Sequence, residues 1–121
     1  MRLQLAEFDV IGSLAHAKML VKCDLLSTDE GELLVDALLE ILEDIRSGRF
    51  SIPEEFEDVH SRVEFLLTEK CGEAGKKIHT ARSRNDQSLL DIKLWCRHHV
   101  KLIADKTDRL FNALLEKAEQ H

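Results

Sequence analysis

Little in this chain bends or breaks a helix: its 121 residues include one proline, Pro53, five glycines and no tyrosine. That scarcity leaves few sites for tight turns and excludes an all-β architecture, which needs many of them. Also missing is any uncharged apolar run near the ~18 residues of a membrane span, and no basic leader with an apolar core opens the sequence. A soluble, unexported, cytoplasmic protein without a membrane partner is expected. Cysteine is sparse and odd in number: Cys23, Cys71 and Cys96 lie far apart, without the Cys-x-x-Cys or Cys/His spacing of a zinc site. Reduced structural thiols are expected, and no metal. Positive charge is in deficit, with 17 Lys and Arg against 23 Asp and Glu for a net charge of -6. An acidic chain lacks the basic footprint of a nucleic-acid binder, so DNA and RNA are excluded as partners.

What is present is helical pattern, and the fold class expected is all-α. Apolar residues make up 44% of the chain, enough for one modest core at this length. Asp9 is placed to cap a first helix from about Val10 to Cys23, with Val10, Leu14, Ala17 and Val21 on one stripe and Ser13 at its flank. Ser27 and Glu30 form a capping box for a second helix, which carries Leu34, Leu38, Ile41 and Ile45 and stops before Gly48. The acidic side of that helix reads as a solvated face. Asp58 caps a third helix, with Val59, Val63, Leu66 and Lys70 sharing a face and His60 and Glu64 on another, until Gly72 ends it. Gly72 and Gly75 then bracket an expected mobile loop, with the internal boundary at its end.

From Arg84 to about Glu119 nothing interrupts the pattern, so a helix of roughly 50 Å is expected. Leu89, Ile92, Cys96, Ile103, Leu110 and Leu114 make its apolar seam, and Leu94, Trp95, Leu102, Phe111 and Leu115 widen it beyond a two-stranded coiled coil. A multi-helix bundle fits better, and leaving that surface bare predicts self-association through this helix. The domain division expected is 1–83, a small helical domain, and 84–121, the first long helix of a central bundle. His98 and His99, adjacent on the long helix, are expected to point in different directions, and His16 to be structural.

The densest chemistry is the run His79-Thr80-Ala81-Arg82-Ser83-Arg84-Asn85-Asp86-Gln87, at the threshold of the long helix. Ser83 suits the N-cap with Asp86 three residues on, leaving free N–H groups and the positive end of the helix dipole beside Arg82 and Arg84. A carboxylate fits there. A polar cap with two solvated arginines explains the same residues, and spacing alone does not choose between them.

The run resembles the His-Thr-Gly-Arg-Ser-Arg-Asn-Asp-Gln signature of the argininosuccinate lyase family, with Ala81 where that family usually has glycine. Two further stretches agree in the same order: Glu7 to Leu20 resembles the family's first-helix motif, and Glu57-Asp58-Val59-His60 its Glu-Asp-Ile-His segment. The resemblance covers essentially the whole chain. It implies the N-terminal portion of an enzyme that splits argininosuccinate into arginine and fumarate by β-elimination, in arginine biosynthesis, with no metal or organic cofactor. It also implies a homotetramer whose active sites form where subunits meet around a helical bundle.

Carried over by position, Ser13 and Asn85 are implied substrate-binding residues, and Arg84, adjoining them in the same site, is expected to bind with them. His60, His79, Thr80, Arg82, Ser83, Asp86 and Gln87 are candidates for shaping the site, with His60 equally explained as a histidine bonded to a neighbouring side chain. Ala81 costs little if its φ is negative and more if it is not. The Thr-His loop and the flexible Ser-containing loop of the family are not in these residues, so no catalytic residue is assigned and the 121-residue chain alone is expected to be inactive. Two other readings stand: another aspartase/fumarase superfamily lyase, such as adenylosuccinate lyase, or a non-catalytic helical structural or interaction protein related to the lyase.

Overall fold

The computed structural model describes residues 2–121, and every regular element among them is helical. In chain order these are α1 (Arg2–Lys22), α2 (Thr28–Arg46), α3 (Val59–Cys71), the single turn α4 (Glu73–Lys76), a 3-10 turn (Lys77–His79) and α5 (Arg84–Gln120). The starts of α2 and α3 follow from local capping. Ser27 accepts from the Glu30 N–H while the Glu30 carboxylate takes the Ser27 N–H, and Asp58 accepts from the Ser61 N–H at 2.8 Å. Each satisfies a donor that the first helical turn leaves open.

The first helix differs from expectation. It begins at Arg2, so Asp9 lies inside it and caps nothing; the carboxyl is 2% exposed and faces the other helices. The upstream residues contain no breaker, and a helix once nucleated extends cheaply through them. The buried face of α1 runs through Ala6, Val10, Ser13, Ala17 and Leu20, while Leu14 and Val21 sit at its edge. Leu34, Leu38 and Ile41 of α2, Val59, Val63 and Leu67 of α3, and Ile78 of the 3-10 turn close the core around it. Burying a Leu or Ile side chain fully contributes about 2 kcal/mol. Lys70 is not part of that face; it reaches out to Glu40 at 2.8 Å.

The segment after Gly72 is structured where a loop was expected. Gly72 ends α3 at φ 62°, and the chain turns at once into α4 and the 3-10 turn, which lays Ile78 into the core at 1% exposure. Cys23, Cys71 and Cys96 are free thiols; Cys71 is half-buried and donates to the Leu33 carbonyl, whereas the other two are exposed, unlike the structural role expected of them. The start of α5 packs against α1, where Phe8 meets the His98 ring. His99 lies flat on Trp95 at 4.0 Å while His98 turns to Phe8, so the two rings take different partners, nearly perpendicular with centroids 5.4 Å apart. Beyond Val100 every residue of α5 is exposed, including Ile103, Leu110, Phe111 and Leu114. Among the described residues no helix is long and apolar enough to cross a membrane.

Candidate anion-binding site at the start of the long helix

Three elements meet at the N-terminus of α5: the middle of α1, the first two turns of α3 and the turn from His79 to Ser83. Ser83 is the N-cap, its Oγ accepting from the Asp86 N–H at 3.2 Å while Asp86 takes the Ser83 N–H at 2.8 Å. That bond from the Ser83 backbone holds the Asp86 carboxyl below the usual carboxylate range. One negative charge therefore already answers the helix dipole. The N–H groups of Arg84 and Asn85, at the first and second helical positions, have no intrahelical acceptor and remain available to a ligand. Asn85 is exposed beside them.

The two arginines of the turn go to different places. Arg82 folds inward and its Nη2 donates to Ser13 Oγ at 3.1 Å, so that Ser13 is 1% exposed. Burial pulls the Arg82 guanidinium below its ordinary pKa, against the opposing attraction of Asp9, Glu64 and Asp91. Arg84 lies across α3, with Nη1 donating to Glu64 Oε1 at 3.2 Å and to Gln87 Oε1 at 3.4 Å. His79 joins the same carboxylate, Nδ1 to Glu64 Oε1 at 3.6 Å. The fold thus brings Ser13 and Arg82 into contact and gathers His79, Arg84 and Gln87 around Glu64. Thr80 contributes its backbone: the His16 ring donates from Nε2 to the Thr80 carbonyl at 2.7 Å and so fixes the turn. Desolvation lowers the His16 pKa, in keeping with a neutral, structural imidazole.

Ala81 sits in that turn at φ 64°, the left-handed region that strains any residue with a Cβ. Glycine there is free of that strain. Ala81→Gly is expected to raise unfolding free energy by ~0.5–1 kcal/mol in urea titrations. An equal or lower value would mean that the alanine methyl makes a compensating contact.

Directly beneath lies a buried polar cluster that the sequence reading missed apart from His60. His60, 6% exposed, donates from Nδ1 to Asp9 Oδ1 at 2.7 Å and meets Ser88 Oγ from Nε2 at 3.2 Å; Asp91 Oδ2 lies 3.8 Å from its Nδ1. Asp9, His60 and Asp91 each place a carboxylate oxygen or ring nitrogen within 4.8 Å of the others. A signal existed in the sequence: Asp9 and Ser13 are one turn apart on an apolar stripe, and Ser88 and Asp91 interrupt the apolar side of α5.

The chain belongs to the lyase family, whose family model, described as "Lyase", matches residues 1–121. It is similar to the argininosuccinate lyases of Neisseria gonorrhoeae (48% identity over 118 residues), Bacteroides thetaiotaomicron (46% over 121) and Caldicellulosiruptor saccharolyticus (44% over 119). These alignments take in 98%, 100% and 98% of this chain but 26%, 27% and 26% of the relatives, so the chain spans about a quarter of their length. The quarter matched is the N-terminal one.

Proposed function

We propose that this chain is the N-terminal portion of an argininosuccinate lyase and supplies one wall of its active site. The reaction is a β-elimination: a base removes the proton next to a carboxylate, the C–N bond to the guanidinium breaks, and the electron pair forms the double bond of fumarate. The difficulty is the negative charge that accumulates on the carboxylate as the proton leaves, and fixed donors aimed at that charge stabilise the transition state more than the ground state. The observation that carries the reading is the corner where Arg82 rests on Ser13 beside the open N–H groups of Arg84 and Asn85. Asn85 offers an amide, Arg84 a guanidinium able to grip a carboxylate in bidentate fashion once released from Glu64, and Ser13, buried beneath Arg82, acts on the ligand through the guanidinium it accepts from. His60, His79, Thr80, Ser83, Asp86 and Gln87 hold this corner in shape.

In this reading residues 1–83 form a domain of their own and residues 84–121 the first rod of a bundle. The exposed apolar seam of α5 supports assembly, with four copies as in the family's homotetramer. Work on a small soluble metabolite fits a cytoplasmic location. The proton-transferring residues lie elsewhere in the complete polypeptide.

The deciding experiment is an assay of the complete gene product with argininosuccinate and adenylosuccinate side by side, following fumarate. Release from argininosuccinate alone is expected. Release from adenylosuccinate alone would move the protein to the sister enzyme, and release from neither would favour a structural relative.

A further inference from the structure

We propose that Asp9 and Asp91 hold one proton between them and, together with His60, form a buried positioning device that fixes Arg82 over Ser13. Its role at the site rests on the lyase reading above, whereas the shared proton does not.

The geometry leaves two acceptors without a donor. Asp9 and Asp91 are 2% and 1% exposed, and the Oδ2 atom of each has no hydrogen-bond partner among the described residues. Buried polar atoms are almost always paired, because an unpaired one carries the full cost of desolvation. A single hydrogen between the two carboxyls satisfies both. The hydrogens of His60 and Ser88 then have places as well, while the buried Nε of Arg82 keeps no partner among the described residues. His60 donates its Nδ1 hydrogen to Asp9 Oδ1, and its Nε2 accepts from the Ser88 hydroxyl.

The charges close as well. Asp91 is faced by Asp9 from α1, His60 from α3, Arg82 from the turn, and uncharged Ser88 of its own helix; Glu64 of α3 acts on Arg82 from the far side. One proton on the carboxyl pair leaves a single negative charge to balance the Arg82 cation. Two buried carboxylates side by side would repel, and burial together with the neighbouring Asp9 pushes the Asp91 carboxyl up to about 9. A divalent cation fits less well, because it would have to displace the 2.7 Å bond from His60 to Asp9 and sit beside the buried guanidinium. The pair ties α1 to α5 one helical turn from Ser13. The negative charge it retains draws Arg82 inward.

The sign of the pH effect follows from the proton count. Above about pH 4 an exposed aspartate in the unfolded chain has lost its proton while folded Asp91 keeps it, so stability falls as pH rises until the folded carboxyl itself titrates near 9. The test begins with infrared spectra of the wild-type chain at neutral pH. A protonated-carboxyl carbonyl band is expected, absent from Asp91→Asn and lost from the wild type as pH passes about 9. Thermal midpoints between pH 5 and 9 should fall by at least ~5 °C more in the wild type than in Asp91→Asn. No such band and parallel pH curves would overturn the pair. One equivalent of tightly bound zinc without the band would replace it with a metal site. In the complete enzyme, Asp91→Ala should raise KM for the substrate at least ~10-fold, with Asp91→Asn, which keeps a donor, restoring most of the loss; an unchanged KM in Asp91→Ala would remove the positioning role. The spectra and melting curves decide the proton whatever the lyase assay gives.

Discussion

Asn85→Ala in the complete enzyme is expected to lower the rate of fumarate release roughly a hundredfold, the usual effect of removing one donor from a site where charge develops. The amide sits at the second position of α5, exposed, next to N–H groups that no helical carbonyl uses. Its loss takes a donor from the transition state without opening a cavity, so folding free energy should change by less than about 0.5 kcal/mol. The loss should fall on kcat and kcat/KM together, since a donor aimed at developing charge contributes little before the proton leaves. Equal turnover in wild type and variant would remove Asn85 from the site. A large fall in thermal stability would reassign it to the architecture of the turn.

Gly75→Ala should be the most damaging small change to the fold. A Cβ at that position would meet the backbone of α3 itself, 2.5 Å from the Leu67 carbonyl carbon and 2.7 Å from the Thr68 nitrogen. Backbone does not rotate away as a side chain does, so α4 would have to lift off α3 and take Ile78 out of the core with it. A cost of about 3 kcal/mol follows, or a fall of roughly 10–15 °C in melting temperature. Gly31→Ala is the control, because its Cβ meets only the Val21 side chain, which has rotamers to yield. If the two variants melted together, the close approach of α4 to α3 would not limit stability.

Sequence alone located whatever depends on neighbours three or four residues apart. The Ser27 box, the Asp58 cap, the Ser83 cap and the long uninterrupted α5 are all of that kind, and they stand in the structure where the pattern places them. Asp9 misled because an aspartate ahead of an apolar stripe looks the same whether it caps a helix or sits buried within one; its real partner, His60, is fifty-one residues away. The stretch from Gly72 to Arg82 looked like a loop for its two glycines, one of which answers a close approach by another helix that no local pattern reveals. Nor does spacing tell which arginine of the turn reaches Ser13. The backbone at Ala81 turns Arg82 inward and leaves Arg84 to Glu64, a choice made by tertiary placement.

The unequal clothing of α5 has a last consequence. Its first four turns lean on α1 and would keep their shape in a solitary molecule, whereas the twenty residues after Val100 are all exposed and must persist largely on intrinsic helix propensity, which is marginal at that length. The corner proposed to hold the anion therefore takes its shape within one chain, while the far half of the rod would draw its permanence from company. Damage to the distal seam would show first as a fault of quaternary order, and only afterwards as a loss of grip on the ligand.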